Sequence, residues 1–410
     1  MLPLTAAIAP AMLFTCLMSV MRGYFQGLQQ MIPTAVSQVV EQFGRVGTIF
    51  AMLYLTLDYG VEYIAAGASM GAAVGGAVSF TVLLCIFVWF QKKHPWSKGE
   101  SRLDLTNGQI MKKVVVLAIP ISIVALVLPI MQLIDSFMVI PRLMAGGMMQ
   151  AEALIQVGYI SSYANPIINL PFIITTAMAS SLVPAVAEAM ADNDKVKVRN
   201  DFHTAMLLTV IIVFPAAVGL CVLATPICTL LFNTPEAGVA LAWVAFTVVA
   251  VGIYQTSSGC LQGLGKVYVP MSSLALGVVI KIALTYVLTP VSVLGIRGAA
   301  IGTVVGFGCA ALCNVWMVSK FIGADWFSAK RHLLKPAISA VVMAIAVIIG
   351  YHLCSALGNS LATAVSIALG GVVYFVILLI LGGITVDEVA ALPKIGPHAA
   401  KIMVKILKKS

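Results

Sequence analysis

The sequence predicts an all-α integral membrane protein, and three observations support this fold class: the composition, the long apolar runs and an internal repeat. Hydrophobic residues make up 61% of the 410 residues and charged residues only 10%, and the mean hydropathy is +1.05. Soluble domains do not have this composition. A helix needs about 20 apolar residues to cross the hydrocarbon core of a bilayer, and the chain contains many runs of about that length.

Eleven apolar runs are predicted to be transmembrane helices. In chain order they are Leu4–Met21, Val36–Leu57, Ala65–Phe90, Val114–Ile140, Val157–Ala179, Thr204–Leu223, Leu241–Leu261, Pro270–Leu288, Ala299–Val318, Pro336–Cys354 and Ala362–Leu381. The fifth lies in a longer stretch, Ala153–Ala187, which Pro166, Pro171 and Pro184 interrupt, so we expect kinks or a break there. Gly358-Asn359-Ser360 is predicted to be the turn between the last two helices.

The distribution of basic residues predicts how these helices are oriented. All but four of the 24 Lys and Arg residues fall in alternate loops and in the tail, namely Arg22, Lys92, Lys93, Lys98, Arg102, Lys112, Lys113, Lys195, Lys197, Arg199, Lys266, Lys320, Lys330, Arg331, Lys335, Lys394, Lys401, Lys405, Lys408 and Lys409. Basic residues collect in cytoplasmic loops, so these loops and the C-terminus are predicted to be cytoplasmic. The net charge of +9 is therefore assigned to membrane topology, and no nucleic-acid partner is expected.

Two short motifs recur in the same order along the chain. Gln26-Gly27-Leu28 recurs as Gln262-Gly263-Leu264, with an offset of 236 residues that also carries Arg45 onto Lys281. A glycine pattern recurs with an offset of 231 residues, at Gly67, Gly71 and Gly75 and again at Gly298, Gly302 and Gly306. Glycines four residues apart form a flat strip on which another helix can pack closely. Spans one to three therefore correspond to spans seven to nine, in two parallel repeats.

The repeat predicts a two-lobe transporter whose first lobe is incomplete in this sequence. Spans four to six have no counterpart, so about 120 residues and three helices are expected upstream of Met1, and about eleven helices of a fourteen-helix fold are present. The predicted organisation is the second half of the N-terminal lobe (1–91), a basic cytoplasmic inter-lobe loop (92–113), a six-helix C-terminal lobe (114–320), a final helix pair (336–384) and a basic cytoplasmic tail (385–410).

Ionisable residues inside the predicted spans are candidate site residues, because a charge is costly in a membrane. Arg45 and Lys281 could present two cations to one central cavity. The alternatives are a private ion pair of Arg45 with Glu41, one helical turn away, and snorkelling of Lys281. Gly277 matches Glu41 in the repeat, so Lys281 is left for a substrate phosphate or for Asp135.

Further residues are weighed in the same way. Arg22 lies at a predicted cytoplasmic helix end and is either a substrate ligand or an anchor to lipid headgroups. Glu41 and Asp135 either bind a coupling ion or pair with a basic residue. Asn165 and Asn169 lie beside prolines at membrane depth, where they either line the cavity or satisfy freed backbone groups.

The stretch from Arg22 to Arg45, RGYFQGLQQMIPTAVSQVVEQFGR, resembles the stage V sporulation protein B family of polysaccharide biosynthesis transporters. Tyr163-x-Asn165-Pro166, Asn169-Leu170-Pro171 and Ser181-Leu-Val-Pro184-Ala support the resemblance, which covers essentially the whole chain. That family belongs to the multidrug/oligosaccharidyl-lipid/polysaccharide exporter superfamily, which also contains lipid II flippases and drug/cation antiporters. The resemblance implies two six-helix lobes plus a final helix pair, and therefore an N-terminal truncation here.

The resemblance implies a flippase that moves a lipid-linked oligosaccharide or a peptidoglycan precursor across the cell membrane by alternating access. The implied partners are an undecaprenyl-pyrophosphate-linked saccharide, the lipid bilayer and a coupling cation or proton. A drug/cation antiporter of the same superfamily is the first alternative, and it should prefer acidic cavity residues. A membrane glycosyltransferase is the second, although the longest hydrophilic loop, Gln91–Lys113, is short and basic.

Enzyme signatures are weak in this sequence. The stretch from Gly259 to Lys266 lacks the spacing and the hydroxyl residue of a phosphate-binding loop. The five histidines are scattered, without the spacing of metal ligands. The protein is therefore predicted not to be an enzyme and to use neither a cofactor nor a metal.

Overall fold

The computed structural model describes residues 2–28, 30–56, 61–93, 106–323 and 330–383, and the regular secondary structure in these ranges is helical, without β-strands. The α-helices of the described chain are α1 (Leu2–Gly27), α2 (Met31–Thr56), α3 (Val61–Lys93), α4 (Asn107–Ala145), α5 (Gln150–Gly158), α6 (Asn165–Ala191), α7 (Lys195–Val222), α8 (Ala224–Phe232), α9 (Ala237–Val244), α10 (Thr247–Gly263), α11 (Tyr268–Leu288), α12 (Ile296–Ile322), α13 (Lys330–Cys354) and α14 (Asn359–Ile380). The predicted all-α fold class is confirmed.

Eight helical stretches of the described chain are long and apolar enough to cross a membrane. They are Ala66–Lys93, Gln150–Ala191, Lys195–Val222, Ala237–Gly263, Tyr268–Leu288, Ile296–Ile322, Leu334–Cys354 and Asn359–Ile380. Each coincides with one of the eleven predicted spans. The other three predicted spans lie on α1, α2 and α4, although Leu57 at the end of the second is outside the described residues.

The predicted basic loop 92–113 is helical at both of its ends. Helix α3 continues through Lys92 and Lys93, and α4 already begins at Asn107. Residues 94–105, between these helices, and the predicted tail 385–410 are outside the described residues.

The sequence predicted kinks or a break within Ala153–Ala187 and a turn at Gly358-Asn359-Ser360. The first is a change of helix type within a continuous helix, and in the second only Gly358 lies outside α14, which already includes Asn359 and Ser360. The long stretch around Ala153–Ala187 is interrupted by a π-helical turn, Tyr159–Ala164, which joins α5 to α6 just before Pro166. The last two helices are separated at Gly358, whose φ of 88° suits a glycine, and α14 begins at the next residue.

The described helices form two compact units, one within residues 1–105 and the other within residues 106–410. In the first unit α3 packs against both α1 and α2, and in the second unit α12 packs against both α10 and α11. Helix α1 ends at Gly27 and α10 ends at Gly263, the two matching glycines of the first motif. The repeated sequences therefore form the same set of three paired helices.

The repeated glycines bring helix backbones into contact in both units. A β-carbon on Gly75 would lie 2.7 Å from the carbonyl oxygen of Glu41, and one on Gly306 would lie 2.6 Å from that of Gly277. The offsets of the repeat carry Glu41 onto Gly277 and Gly75 onto Gly306. The same two positions thus meet in each unit, and they meet because a glycine leaves room for the opposite backbone.

Substitution of Gly306 by alanine should destabilise the second unit, because the new methyl group would also lie 2.9 Å from the β-carbon of Lys281. Overpacking of this kind costs about 1–3 kcal/mol. Gly308 on the same helix is a matched control, since a β-carbon there would meet nothing within 4 Å. The thermal midpoint of the detergent-solubilised protein should fall for Gly306→Ala and hold or rise for Gly308→Ala. Equal midpoints for the two variants would contradict the close contact.

Candidate functional site

Three ionisable side chains form a cluster in the first unit, within its apolar helices. Glu41 binds Arg22 of α1 through Oε2, at 2.9 Å from Nη2, and Arg45 of its own helix through Oε1, at 3.0 Å from Nη2. The Arg22 and Glu41 side chains are 18% and 16% exposed, whereas that of Arg45 is 39% exposed. The single carboxylate is shared by two guanidinium groups, so the cluster carries one positive charge in excess.

Two serines orient Arg22 towards Glu41. Its Nε donates to Ser37 Oγ at 2.8 Å, and its Nη2 also lies 3.4 Å from Ser79 Oγ. Ser79 donates in turn to the carbonyl oxygen of Ser37 at 2.7 Å, which ties α3 to α2 at this level. Arg22 is therefore held inside the unit. This arrangement does not match the alternative in which Arg22 anchors a helix end to lipid headgroups.

Arg45 is the member of the cluster that keeps free binding capacity. Its Nε is buried and has no hydrogen-bond partner among the residues described. A buried unpaired donor is unusual in a native protein and marks a place where a ligand or a water can bind. Because Glu41 is shared with Arg22, the private Arg45–Glu41 pair considered from the sequence is not what the structure contains.

The second unit holds a separate ion pair between α11 and α4. Lys281 is only 2% exposed, and its Nζ donates to Asp135 Oδ2 at 2.8 Å and lies 3.5 Å from the carbonyl oxygen of Met131. Asp135 is more open, with 33% of its side chain exposed, and its Oδ1 has no hydrogen-bond partner in the described part of the chain. Of the two partners predicted for Lys281, the structure contains Asp135.

The repeat positions of Arg22 and Ser37 are occupied by an uncharged network in the second unit. The offset of 236 carries Arg22 onto Ser258 and Ser37 onto Ser273. Asn314 Nδ2 donates to Ser258 Oγ at 2.9 Å, and Ser273 Oγ donates to Asn314 Oδ1 at 2.5 Å. Both units therefore join these two helices by polar contacts, but only the first uses charges there.

A cavity of about 460 Å³ opens beside the Lys281–Asp135 pair. The walls are apolar for the most part, and Phe172 and Phe307 contribute aromatic rings to them. The polar side chains that line the cavity are Gln132, Asp135, Ser136, Ser161, Asn165, Asn169, Thr247, Lys281 and Thr303. Four of the seven candidate residues predicted from the sequence thus line one cavity within the second unit.

The π-helical turn aligns the polar side chains on one wall of this cavity. Ser161, Asn165 and Asn169 follow one another at intervals of four residues, and all three line the cavity. In a regular α-helix a step of four residues overshoots a full turn by about 40°, so three such positions would drift around the helix. The turn is wider here, since the N–H of Asn165 donates to the carbonyl oxygen of Ile160, five residues back.

Pro166 explains why the wide turn occurs where it does. Proline has no N–H to donate, and its ring collides with the carbonyl group four residues earlier in a regular helix. The π-helical turn ends immediately before Pro166, which removes that collision. The prolines predicted that the helix would be interrupted. No residue pattern predicted that the helix would stay continuous and take up one extra residue in a wider turn.

Metal binding has little support from the described residues, in which no group of three or more His, Cys, Asp or Glu side chains comes together. Charged groups held inside apolar helix bundles beside a polar cavity are instead characteristic of secondary transporters. The fold and the site together define a multi-pass membrane protein of the transporter class.

Comparisons with known proteins identify the family. Residues 2–190 match the family of polysaccharide biosynthesis proteins, and residues 120–287 match the MatE family. In Bacillus subtilis (strain 168), the uncharacterized membrane protein YabM is 27% identical over 406 residues, which cover 96% of this chain and 74% of YabM. Stage V sporulation protein B of the same organism is 28% identical over 392 residues, covering 95% of this chain and 75% of that protein.

Lipid II flippase MurJ of the same organism is 27% identical over 391 residues, which cover 89% of this chain and 70% of MurJ. A solved structure of a lipid II flippase MurJ in an inward closed conformation has the same fold, with a TM-score of 0.61 and 16% identity over 91% of this chain and 72% of that chain. The chain belongs to the multidrug/oligosaccharidyl-lipid/polysaccharide exporter superfamily and is a membrane flippase or exporter of that superfamily.

The two partners of the ion pair should differ in how strongly their loss destabilises the protein. Asp135→Ala leaves the Lys281 ammonium buried without an anion, which costs about 3–5 kcal/mol. Lys281→Met leaves a carboxylate that is one-third exposed to the cavity, where water can solvate it, so its cost should be smaller. Thermal unfolding in detergent measures both.

The double variant Asp135→Leu/Lys281→Met should recover most of the stability that Asp135→Ala loses, because no unpaired charge remains. A Lys281→Met protein less stable than Asp135→Ala would show that the burial of Lys281 is not the dominant factor.

Proposed function

We propose that this protein is a flippase that moves an undecaprenyl-pyrophosphate-linked saccharide, either a lipid-linked oligosaccharide or a peptidoglycan precursor resembling lipid II, across the cytoplasmic membrane by alternating access. The observation that carries the proposal is the excess positive charge of the Arg22–Glu41–Arg45 cluster inside an apolar helical unit. A relative, MurJ, is named as a lipid II flippase, which agrees with this substrate class.

The chemistry of such a substrate explains why a buried cation would be kept. A pyrophosphate and a saccharide lose their hydration when they enter hydrocarbon, which is costly unless the protein replaces the lost contacts. A guanidinium group binds phosphate oxygens through two parallel hydrogen bonds and stays charged when it is buried. Arg45, with its unpaired Nε and partly exposed side chain, is the group best prepared to do this.

The remaining candidate residues receive roles from their chemistry. Arg22 is proposed to contribute positive charge to substrate binding, and Lys281 is proposed to line the substrate cavity. Asn165 and Asn169 are proposed to contact the headgroup. Glu41 and Asp135 are proposed to couple transport to a cation or a proton, since each accepts hydrogen bonds from a basic residue and protonation would release that residue. No cofactor, metal or nucleic acid enters this proposal.

The proposed orientation in the membrane follows the distribution of basic residues. The C-terminus and the basic loops are proposed to lie in the cytoplasm. The domain organisation is likewise proposed from the sequence, with residues 1–91 and 114–320 belonging to two lobes and residues 336–384 to a final helix pair.

A drug/cation antiporter is the second candidate function, and the match of residues 120–287 to the MatE family favours it. An organic cation would be repelled by an excess positive charge, whereas a pyrophosphate would be attracted by it. The charge of the Arg22–Glu41–Arg45 cluster therefore supports the flippase over the antiporter.

Transport can be tested with the purified protein in liposomes that carry an undecaprenyl-pyrophosphate-linked disaccharide, by following the exposure of the saccharide to an added lectin. The Arg45→Gln variant should lower the initial rate about tenfold or more, because a charged hydrogen-bond donor is lost. Arg45→Lys should keep part of the activity, since the charge is retained without the planar fork.

Lys197→Gln is the matched control for this experiment, because it removes a basic residue whose ion pair with Glu188 is largely exposed. Its rate should equal that of the unaltered protein. A normal rate for Arg45→Gln would remove the cluster from the site, and export of tetraphenylphosphonium without saccharide transport would favour the antiporter.

A further inference from the structure

The cavity of the second unit has a hydrogen-bonding character of its own. The hydroxyl groups of Ser136, Ser161 and Thr303 each donate to a backbone carbonyl oxygen one turn earlier in the helix, at 3.0 Å. A hydroxyl group has a single donor, so these three can only accept hydrogen bonds from anything in the cavity. Oδ1 of Asp135 adds a further acceptor that has no partner among the described residues.

The donors on the same walls are uncharged: they are the amide groups of Gln132, Asn165 and Asn169, and the hydroxyl group of Thr247, which has no partner among the described residues. Asn165 and Asn169 line the cavity, and each amide group both donates and accepts. Lys281 contributes no free charge, because its ammonium group is 2.8 Å from Asp135 Oδ2. The cavity therefore offers acceptors together with uncharged donors, and its two charges are matched by each other.

These properties select the chemical class of ligand. A phosphate group only accepts hydrogen bonds, so it cannot use the acceptors on these walls, and no unpaired cation among the described residues that line them matches its charge. An organic cation without N–H groups cannot donate to the acceptors, and the charge of Asp135 is already matched by Lys281. A sugar carries several hydroxyl groups, each of which donates as well as accepts, and its C–H faces can pack on aromatic rings such as Phe172 and Phe307. A volume of about 460 Å³ is within the range of small-molecule sites.

We propose that the cavity beside the Lys281–Asp135 pair is a subsite for an uncharged sugar of the headgroup, whereas phosphate is bound elsewhere in the protein. This inference rests on the proposed flippase function and refines it. It assigns Asn165 and Asn169 to hydrogen bonds with sugar hydroxyl groups, and it assigns Lys281 to holding Asp135 in place rather than to binding an anion directly.

Two carriers test the proposal with the full chain in nanodiscs: undecaprenyl pyrophosphate, and the same lipid with one uncharged N-acetylhexosamine. The dissociation constant of each is measured. The sugar-bearing carrier should bind about tenfold more tightly, because two or three neutral hydrogen bonds are worth that much. In Asn165→Leu and in Asn169→Leu this advantage should shrink to about threefold or less, while the bare carrier binds as before.

Asn200→Leu is the matched control, since it makes the same chemical change at an exposed amide on α7 outside the cavity and should keep the full advantage of the sugar. Unchanged binding of the bare carrier shows that a variant is folded, and Asn169→Leu, at an exposed position, carries the test if Asn165→Leu does not fold.

The outcomes separate the two proposals. Equal affinity for both carriers in the unaltered protein overturns the sugar subsite and leaves the proposed function standing. A sugar advantage that survives in both variants places the sugar outside this cavity and also overturns the inference. Failure of the protein to bind either carrier overturns the proposed function, and the subsite with it.

Discussion

The ion pair between the buried Lys281 and the partly exposed Asp135 joins two helices that line the second unit's cavity. Lys281 is on α11 and Asp135 is on α4, and a buried ammonium requires an anion close by. The distance of 2.8 Å therefore also sets how closely these two helices approach. The first unit meets the same requirement differently, by sharing Glu41 between two arginines that the two serines Ser37 and Ser79 help to orient.

The two units thus combine a common backbone arrangement with different electrostatics. Equivalent glycines bring equivalent helices together, yet the position of Arg22 is Ser258 in the second unit and the position of Glu41 is Gly277. Packing tolerates such exchanges because the closest contacts of Gly75 and Gly306 are with the carbonyl oxygens of the opposite helix, which every residue has. A repeated scaffold can in this way carry an excess of positive charge in one unit and a charge-matched polar cavity in the other.

Much of the fold could be predicted from the sequence, because apolar length decides which segments can cross a bilayer and glycine spacing decides which can pack closely. The repeat also predicted that Lys281 would pair either with a substrate phosphate or with Asp135. In the structure its partner is Asp135. The Arg22–Glu41 contact could not be predicted, since the two residues are on different helices and no periodicity relates them. The short helix α8 was missed because its nine residues are fewer than the about 20 that a predicted span requires.

The close approach of backbones at Gly302 and Gly306 has a mechanical consequence. Sliding α12 along α11 would carry residues with a β-carbon to places where such an atom would lie less than 3 Å from atoms of α11. The two helices are therefore interlocked, and we expect them to move together as one rigid body. We expect any change of shape in this unit at joints without such interlocking, and the π-helical turn between α5 and α6, which contains one extra residue, is one such joint.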